Sequence, residues 1–310
     1  MIRSSYVYGP VPSRRLGLSL GVSIIPRKTC TIDCVYCQCG RTTRRTLKRE
    51  PFYPVEDIVE QVRQAVATHE LDFITFSGEG EPTLNSDIGR LIRRFKAEFR
   101  VPVAVITNST LMTDPAVRRA LYRADLVVPS LDAADQATFR KVNRAHQGLV
   151  VEDIIQSLVT FRRHFRGRMW LEVMLVRDVN DAPAHVVKLR QAAWRIRPDR
   201  VHLNTVVRPP AESWAGPLDR DDLEQVRVLF GPGTEIADSA LRRAKRRTGQ
   251  DPERAIYELV RNRPVTFADM ERSLGIDPRL LKPALGRLLK QRRVRRVRFW
   301  GKEFFEPPGA

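Results

Sequence analysis

The sequence predicts an α/β protein: an open, partial (β/α)6 TIM-like barrel followed by a small domain resembling a winged helix-turn-helix. Three observations carry this. Short apolar runs alternate with amphipathic helical patterns over the first 230 residues, which is the signature of a parallel sheet. Six such units fall short of the eight that close a full barrel. A break at 231–250 then precedes a segment that reads as three helices and a hairpin.

The elements follow in order. A strand at about 20–25 (LGVSII) stops at Pro26. The next helix shows Val55, Ile58, Val59, Val62 and Val66 at helical spacing. A strand at 71–76 leads to a helix carrying Ile88, Leu91, Ile92, Phe95 and Phe99. The strand at 102–107 precedes Asp114-Pro115, an N-cap followed by a proline suited to the first helical turn. Strands at 125–130, 169–176 and about 200–206 alternate with helices at about 151–164 and 183–195. In an open parallel sheet the chemistry sits at the carboxyl ends of the strands. That directs attention to the loops after 25, 76, 107, 130, 176 and 206.

Residues 1–232 are therefore expected to form the barrel, 233–250 a basic linker and 251–310 the small domain. The linker holds Arg242, Arg243, Lys245, Arg246 and Arg247. The small domain reads as helices at about 252–262, 266–274 and 277–291, then a hairpin through Gly301. From 233 onward 19 Lys/Arg face 10 Asp/Glu, a net +9, half the +18 of the whole 310-residue chain. Such an excess suits a polyanionic partner or acidic substrate, and equally an Arg-rich proteome. With 42% hydrophobic and 29% charged residues the composition is that of a globular protein, not a disordered or fibrous one. No apolar run approaches a membrane span and the amino terminus has no signal-peptide pattern, so the expected location is the cytoplasm, away from membrane.

All four cysteines fall between residues 30 and 39. Structural disulfides would be spread to staple distant segments, so this packing points to metal or redox chemistry. Cys30, Cys34 and Cys37 have the spacing C-x3-C-x2-C, and three thiolates on one loop suit three irons of a [4Fe–4S] cluster with the fourth iron open. Zinc usually takes two separated ligand pairs, and the five histidines are distant in sequence.

The loop CTIDCVYC, with aromatic Tyr36 before its third cysteine and a strand before its first, resembles the hallmark of the radical S-adenosylmethionine (SAM) superfamily. The resemblance implies Cys30, Cys34 and Cys37 as cluster ligands and SAM as second cofactor. By the same resemblance Gly78, Gly80 and Glu81 of SGEGEPTL match the motif that binds the SAM amino group. Asn108 or Ser109 of TNST would contact the methionine carboxylate or ribose, Ser130 and Asp132 of PSLDA the ribose, and Arg144 the SAM carboxylate. The stretch YGPVPSRRLGLSLGV with GRTT is similar to the iron–sulfur oxidoreductase group related to the wyosine-forming tRNA enzymes, over roughly residues 5–230. Those enzymes use further cysteines for a second cluster, which this chain lacks.

The implied activity is reductive cleavage of SAM to a 5′-deoxyadenosyl radical, which abstracts hydrogen from a substrate. An electron donor such as flavodoxin or ferredoxin is then needed. Cys39 and His202 are the candidates for further catalytic roles, and Arg14 and Arg15 for substrate contact. The cations of the carboxyl-terminal segment, with Phe299 and Trp300 as stacking groups, make RNA or tRNA the first substrate hypothesis. A small metabolite or peptide is the alternative, and an iron–sulfur DNA-binding redox sensor a third reading.

Overall fold

A computed structural model describes residues 5–13, 15–237 and 251–308. Its strands are β1 (Val7–Ser13), β2 (Gly17–Val22), β3 (Thr29–Cys30), β4 (Arg44–Arg45), β5 (Phe73–Phe76) and β6 (Val103–Thr107). They continue with β7 (Leu126–Pro129), β8 (Arg168–Leu175), β9 (Arg200–Thr205), β10 (Thr234–Ile236), β11 (Arg295–Phe299) and β12 (Lys302–Glu306). The helices are α1 (Val55–Thr68), α2 (Ile88–Glu98), α3 (Pro115–Leu121), α4 (Gln136–Asn143) and α5 (Val151–His164). The rest are α6 (Pro183–Ile196), α7 (Arg220–Phe230), α8 (Pro252–Asn262), α9 (Phe267–Leu274) and α10 (Pro278–Lys290). None of them is long and apolar enough to cross a membrane.

The main sheet has the order β1-β2-β5-β6-β7-β8-β9-β10. All its neighbours pair in parallel except β1, which runs antiparallel to β2 from Val7 opposite Val22 to Ser13 opposite Gly17. The six expected parallel strands are present, and two more extend the edges. Strand β10 falls where the basic linker was expected to begin, while the run from Arg242 to Arg247 lies outside the described residues. Strand β2 ends earlier than the apolar run suggests. Ile24 and Ile25 are buried but leave the ladder, and the Ile24 carbonyl accepts from Asn85 Nδ2 at 2.7 Å. An apolar run reports burial, which a loop packed under its neighbours satisfies as well as a strand does.

The helices form where their apolar residues recur every three or four positions. Val55, Ile58, Val59 and Val62 of α1 and Ile88, Leu91, Ile92 and Phe95 of α2 are buried against the sheet. Phe95 stacks on Phe76 with ring centroids 5.2 Å apart, which fixes α2 to β5. Asp114 caps α3 by accepting from the Ala116 N–H at 2.7 Å. Helix α4 is too short for periodicity to announce it. It begins at an Asp135 cap and brings Asn143 to the edge of the cysteine loop.

A second, smaller core holds α8, α9, α10 and the β11–β12 hairpin together through residues such as Ile256, Val260, Met270, Leu281 and Phe305. Val11 of β1 packs against it. Val265 and Phe305 pair backbone to backbone at 3.1 and 2.8 Å. The Arg208 guanidinium, just past β9, donates to the Pro264 carbonyl at 3.1 Å. The module thus rests on the carboxyl end of the sheet, beside the loops expected to carry chemistry.

Candidate active site

A cavity of about 360 Å³ opens at the carboxyl ends of the central strands. Its wall contains Cys30, Cys34, Cys37 and Cys39 on one side and Gly78, Gly80, Glu81, Asn108 and Ser130 on another. Nine of the sequence-derived site residues are therefore brought together, from four separate loops.

The cysteine loop is shaped by its own sequence. Ile32 and Val35, between the cysteines, are buried and hold the loop down. Thr29 and Cys30 pair with Arg44 and Arg45, which pinches the loop at its base. Gly40 takes a φ of +83°, open to glycine without strain, and its N–H reaches the Cys37 carbonyl at 3.1 Å.

Each of the three spaced cysteines receives a nitrogen donor from outside the C-x3-C-x2-C motif. Asn108 Nδ2 donates to Cys30 Sγ at 3.4 Å, Asn143 Nδ2 to Cys34 Sγ at 3.3 Å, and Lys28 Nζ to Cys37 Sγ at 3.6 Å. Such donors stabilise negative sulfur. Burial pushes the Cys30 thiol up to about 12, with Glu81 adding to the effect, and pushes Cys34 up as well. Cys37 goes the other way, to about 6, because it accepts from the Cys39 thiol and lies beside Lys28. No group of three or more His, Cys, Asp or Glu among the described residues converges as the ligands of one metal ion would. The spread of the sulfurs around one cavity wall fits a cluster, where each thiolate takes a different iron. A bound cluster supplies the positive charge that holds buried thiols deprotonated.

The loop after β5 packs against the cysteine loop. A Cβ on Gly80 would lie 2.0 Å from the Thr29 carbonyl oxygen, so only glycine lets these two backbones meet. Glu81 is buried, and its carboxylate accepts from Thr83 N–H at 3.0 Å, Thr83 Oγ1 at 2.6 Å, Thr107 Oγ1 at 2.7 Å and the Asn108 N–H at 2.7 Å. It therefore ties the β5 loop to the β6 loop. Burial still raises its pKa, the donors offsetting part of the cost.

Four of the expected contacts are arranged differently. Ser109 is buried at a φ of +70°, and its hydroxyl donates to the Ser130 carbonyl at 2.7 Å, away from the cavity. Asp132 sits behind Tyr36. It accepts from the Tyr36 hydroxyl, from Asn143 Nδ2 at 2.8 Å and from the Met174 N–H at 3.0 Å, while burial lifts it to about 6. Its lone pairs are committed inside the protein. Arg144 adopts a left-handed φ of +44° that ends α4, and its guanidinium meets Glu212 at 2.7 Å and Asp33 at 3.8 Å outside the cavity wall. His202 does not line the cavity. It packs edge-on against Trp170 at 5.3 Å and lies 3.5 Å from Glu235, and burial lowers its pKa.

Several wall residues escape a motif-based reading. Tyr8 of β1 lies over Gly21, where a Cβ would fall 2.1 Å from its ring, and bonds Ser77 Oγ at 2.7 Å. Arg15, which the sequence offered for substrate contact, does line the wall, where it pairs with Glu172, which also accepts from Asn204 Nδ2 at 2.8 Å. Lys28 and Arg263 complete the rim. Arg14 lies outside the described residues. A Lys or Asn signals no particular partner by type, so only the tertiary arrangement reveals these.

The radical SAM superfamily model matches residues 24–189. A UPF0026 protein of Methanocaldococcus jannaschii is 35% identical over 226 residues, covering 72% of this chain and 70% of that protein. A Brachyspira hyodysenteriae protein named GTPase Obg is 33% identical over 298 residues, 95% of this chain but 44% of that protein, so the chain spans less than half its length. A Corynebacterium efficiens protein named as a probable dual-specificity RNA methyltransferase RlmN is 28% identical over 221 residues, 66% of this chain and 58% of that protein. Among solved structures, a radical SAM methyltransferase from Sphaerobacter thermophilus matches with a TM-score of 0.55 at 20% identity, over 70% of this chain and 65% of that one. TYW1 with a lysine-pyruvate adduct bound matches at 0.52 and 16%, over 70% and 74%. These two likenesses show the fold. A [4Fe–4S] cluster and SAM are the cofactors. The three-cysteine loop, the sheet behind it and the family match agree: this chain belongs to the radical SAM superfamily and is a radical SAM enzyme.

Proposed function

We propose that this radical SAM enzyme acts on RNA, docked on the basic carboxyl-terminal module while one nucleotide enters the cavity. The observation that carries the reading is a set of exposed cations on α10, the turn after it and the hairpin. Arg279, Lys282, Lys290, Arg292 and Arg298 are exposed and form no ion pair among the described residues. Their neighbours are engaged: Arg287 with Glu253, Arg295 with Glu306 at 2.6 Å, and Arg293 over the Tyr257 ring at 4.5 Å. Exposed cations free of ion pairs bind a phosphate backbone with a salt-dependent affinity. The named activity of the Corynebacterium relative supports the same reading. Trp300, 62% exposed beside Gly216, is placed to stack on a base. Phe299 is not, since it packs against the main core.

In this reading residues 251–310 act as a substrate-docking domain of the winged-helix kind, and 1–232 as the catalytic barrel. Cys30, Cys34 and Cys37 would hold the cluster, which when reduced supplies the electron that cleaves SAM. Asn108, Asn143 and Lys28 would orient the thiolates and stabilise their charge. Gly78 and Gly80 let their loop pack closely on Ser23 and on the Thr29 backbone at the base of the cysteine loop, while Glu81 fixes the two loops that would face SAM. Ser130 and Asn108 offer polar atoms at the wall. The protein's contribution is to orient and to exclude water, the radical chemistry belonging to the cofactors. An external one-electron donor, flavodoxin or ferredoxin in type, would feed the cluster.

The test combines cleavage with binding. The anaerobically reconstituted protein, given dithionite and SAM, should release 5′-deoxyadenosine, with Cys34→Ala inactive. Bulk tRNA should shift in a gel with an affinity that falls steeply with salt. Changing Arg279, Lys282, Lys290, Arg292 and Arg298 to Gln should weaken that binding at least about tenfold. Equal binding by this variant and the wild type would sink the RNA reading.

A further inference from the structure

We propose that Arg263 of the carboxyl-terminal module anchors an oxyanion of the substrate, a phosphate or a carboxylate, inside the cavity, so that the module completes the active site. The inference rests on the radical SAM reading of that cavity and adds to it a substrate class and the residue that selects it.

Arg263 ends α8 in an extended conformation and lines the same cavity as the four cysteines. It is close enough to Tyr8 and Cys39 for its charge to act on both. Its backbone is held from two sides. The Pro264 carbonyl accepts from Arg208 Nε at 3.1 Å, and Val265 pairs with Phe305 in both directions. The position of the guanidinium is thus set by the docking of the module on the sheet.

The charges around it are already matched. Glu79 pairs with Arg27 at 3.0 Å, Glu81 accepts from its four donors, and Glu172 is held by Arg15 and Asn204. Asp269, the carboxylate of the module that acts on Arg263, is bonded to Arg272 at 2.8 Å and caps α9 through Thr266. Lys28 is turned to Cys37 and the Gly40 carbonyl. Arg263 forms no ion pair among the described residues. Arg263 is half-buried as a residue, and burial holds its pKa below the usual arginine value. Arginine stays charged in proteins, so a desolvated guanidinium without a counter-ion is costly until an anion arrives. Its planar fork fits two oxygens of one phosphate or carboxylate.

The test uses the full chain with cluster and SAM bound, titrated calorimetrically with inorganic phosphate and, separately, with acetate. Wild type, Arg263→Gln, Arg263→Lys and Arg254→Gln are compared, the last removing an exposed cation distant from the cavity wall. Arg263→Gln should weaken binding of one or both anions at least about tenfold, Arg263→Lys should restore part of it, and Arg254→Gln should match wild type. Tighter phosphate than acetate assigns a phosphorylated or nucleic-acid substrate, and the reverse order a carboxylate. SAM affinity should be the same in all four proteins, and the unfolding temperature of Arg263→Gln should equal or exceed wild type. Unchanged anion binding overturns the proposal. So does a loss of SAM binding, which would make the SAM carboxylate the partner, or a fall in unfolding temperature, which would make the role structural. The RNA reading fails separately, by an unaltered gel shift in the five-cation variant, and leaves this result standing.

Discussion

Asn143 donates to the sulfur of Cys34 at 3.3 Å from the last residue of a helix 109 positions further along the chain. The same amide nitrogen donates to Asp132 at 2.8 Å. One buried side chain therefore couples the cysteine loop to the end of β7, and Tyr36 closes the triangle from the other side through its hydroxyl bond to Asp132.

Replacing Asn143 with Leu should remove both bonds while keeping bulk. Leaving the buried Asp132 acceptor short of a donor costs about 1–3 kcal/mol of stability, measurable by urea denaturation of the apoprotein. Loss of a hydrogen bond to a cluster sulfur should also make the cluster's midpoint potential more negative. A variant with wild-type stability and potential would contradict the coupling.

The four cysteines should separate into three and one. Alanine at Cys30, Cys34 or Cys37 should abolish the four-iron content and the visible absorption of the reconstituted protein. Alanine at Cys39 should keep both, because the C-x3-C-x2-C set is complete without it. Iron and sulfide analysis distinguishes the two patterns.

Gly80→Ala places a methyl group 2.0 Å from a backbone oxygen that has nowhere to go without moving the cysteine loop. Overpacking of this kind costs about 1–3 kcal/mol. SAM affinity should fall roughly tenfold or more, as read by calorimetry on the loaded protein. Gly286, whose Cβ would meet open space, should accept Ala without loss of SAM binding.

Asp135 gives a pH-dependent contribution whose sign is fixed by its partners. The Thr138 N–H at 2.9 Å, with Lys188 and His185, holds its carboxyl well below the ordinary 3.8. A depressed folded value means the contribution is complete above 3.8 and is lost as the pH falls through the folded value. Asp135→Ala should cost about 1 kcal/mol at pH 7, mainly as a lost helix cap. The gap from wild type should hold from pH 7 to about 5 and narrow toward pH 2, followed by thermal unfolding across that range.

Much of the site was readable because its carriers are close together in sequence. Three sulfurs seven positions apart at most, with Ile32 and Val35 between them, make a loop whose chemistry depends on spacing alone. The strand–helix alternation gave the sheet, and the ends of its strands gave the place of the cavity. Two of the rearranged contacts share a cause. Ser109 and Arg144 stand in the right loops, but positive φ values turn them to Ser130 and Glu212. A local backbone twist is not written in residue type. Asp132 stands behind Tyr36 because a buried carboxylate takes the donors it finds inside.

By itself, the sequence determined the superfamily, the cofactor loop and the parallel sheet, since each rests on spacing or periodicity within a few dozen residues. The tertiary structure alone decided which nitrogen faces which sulfur, that β1 brings Tyr8 over Gly21, and that Arg263 of a distant module enters the cavity wall. Those pairings join residues up to hundreds of positions apart, and packing of two cores against one sheet, not any local preference, sets their geometry.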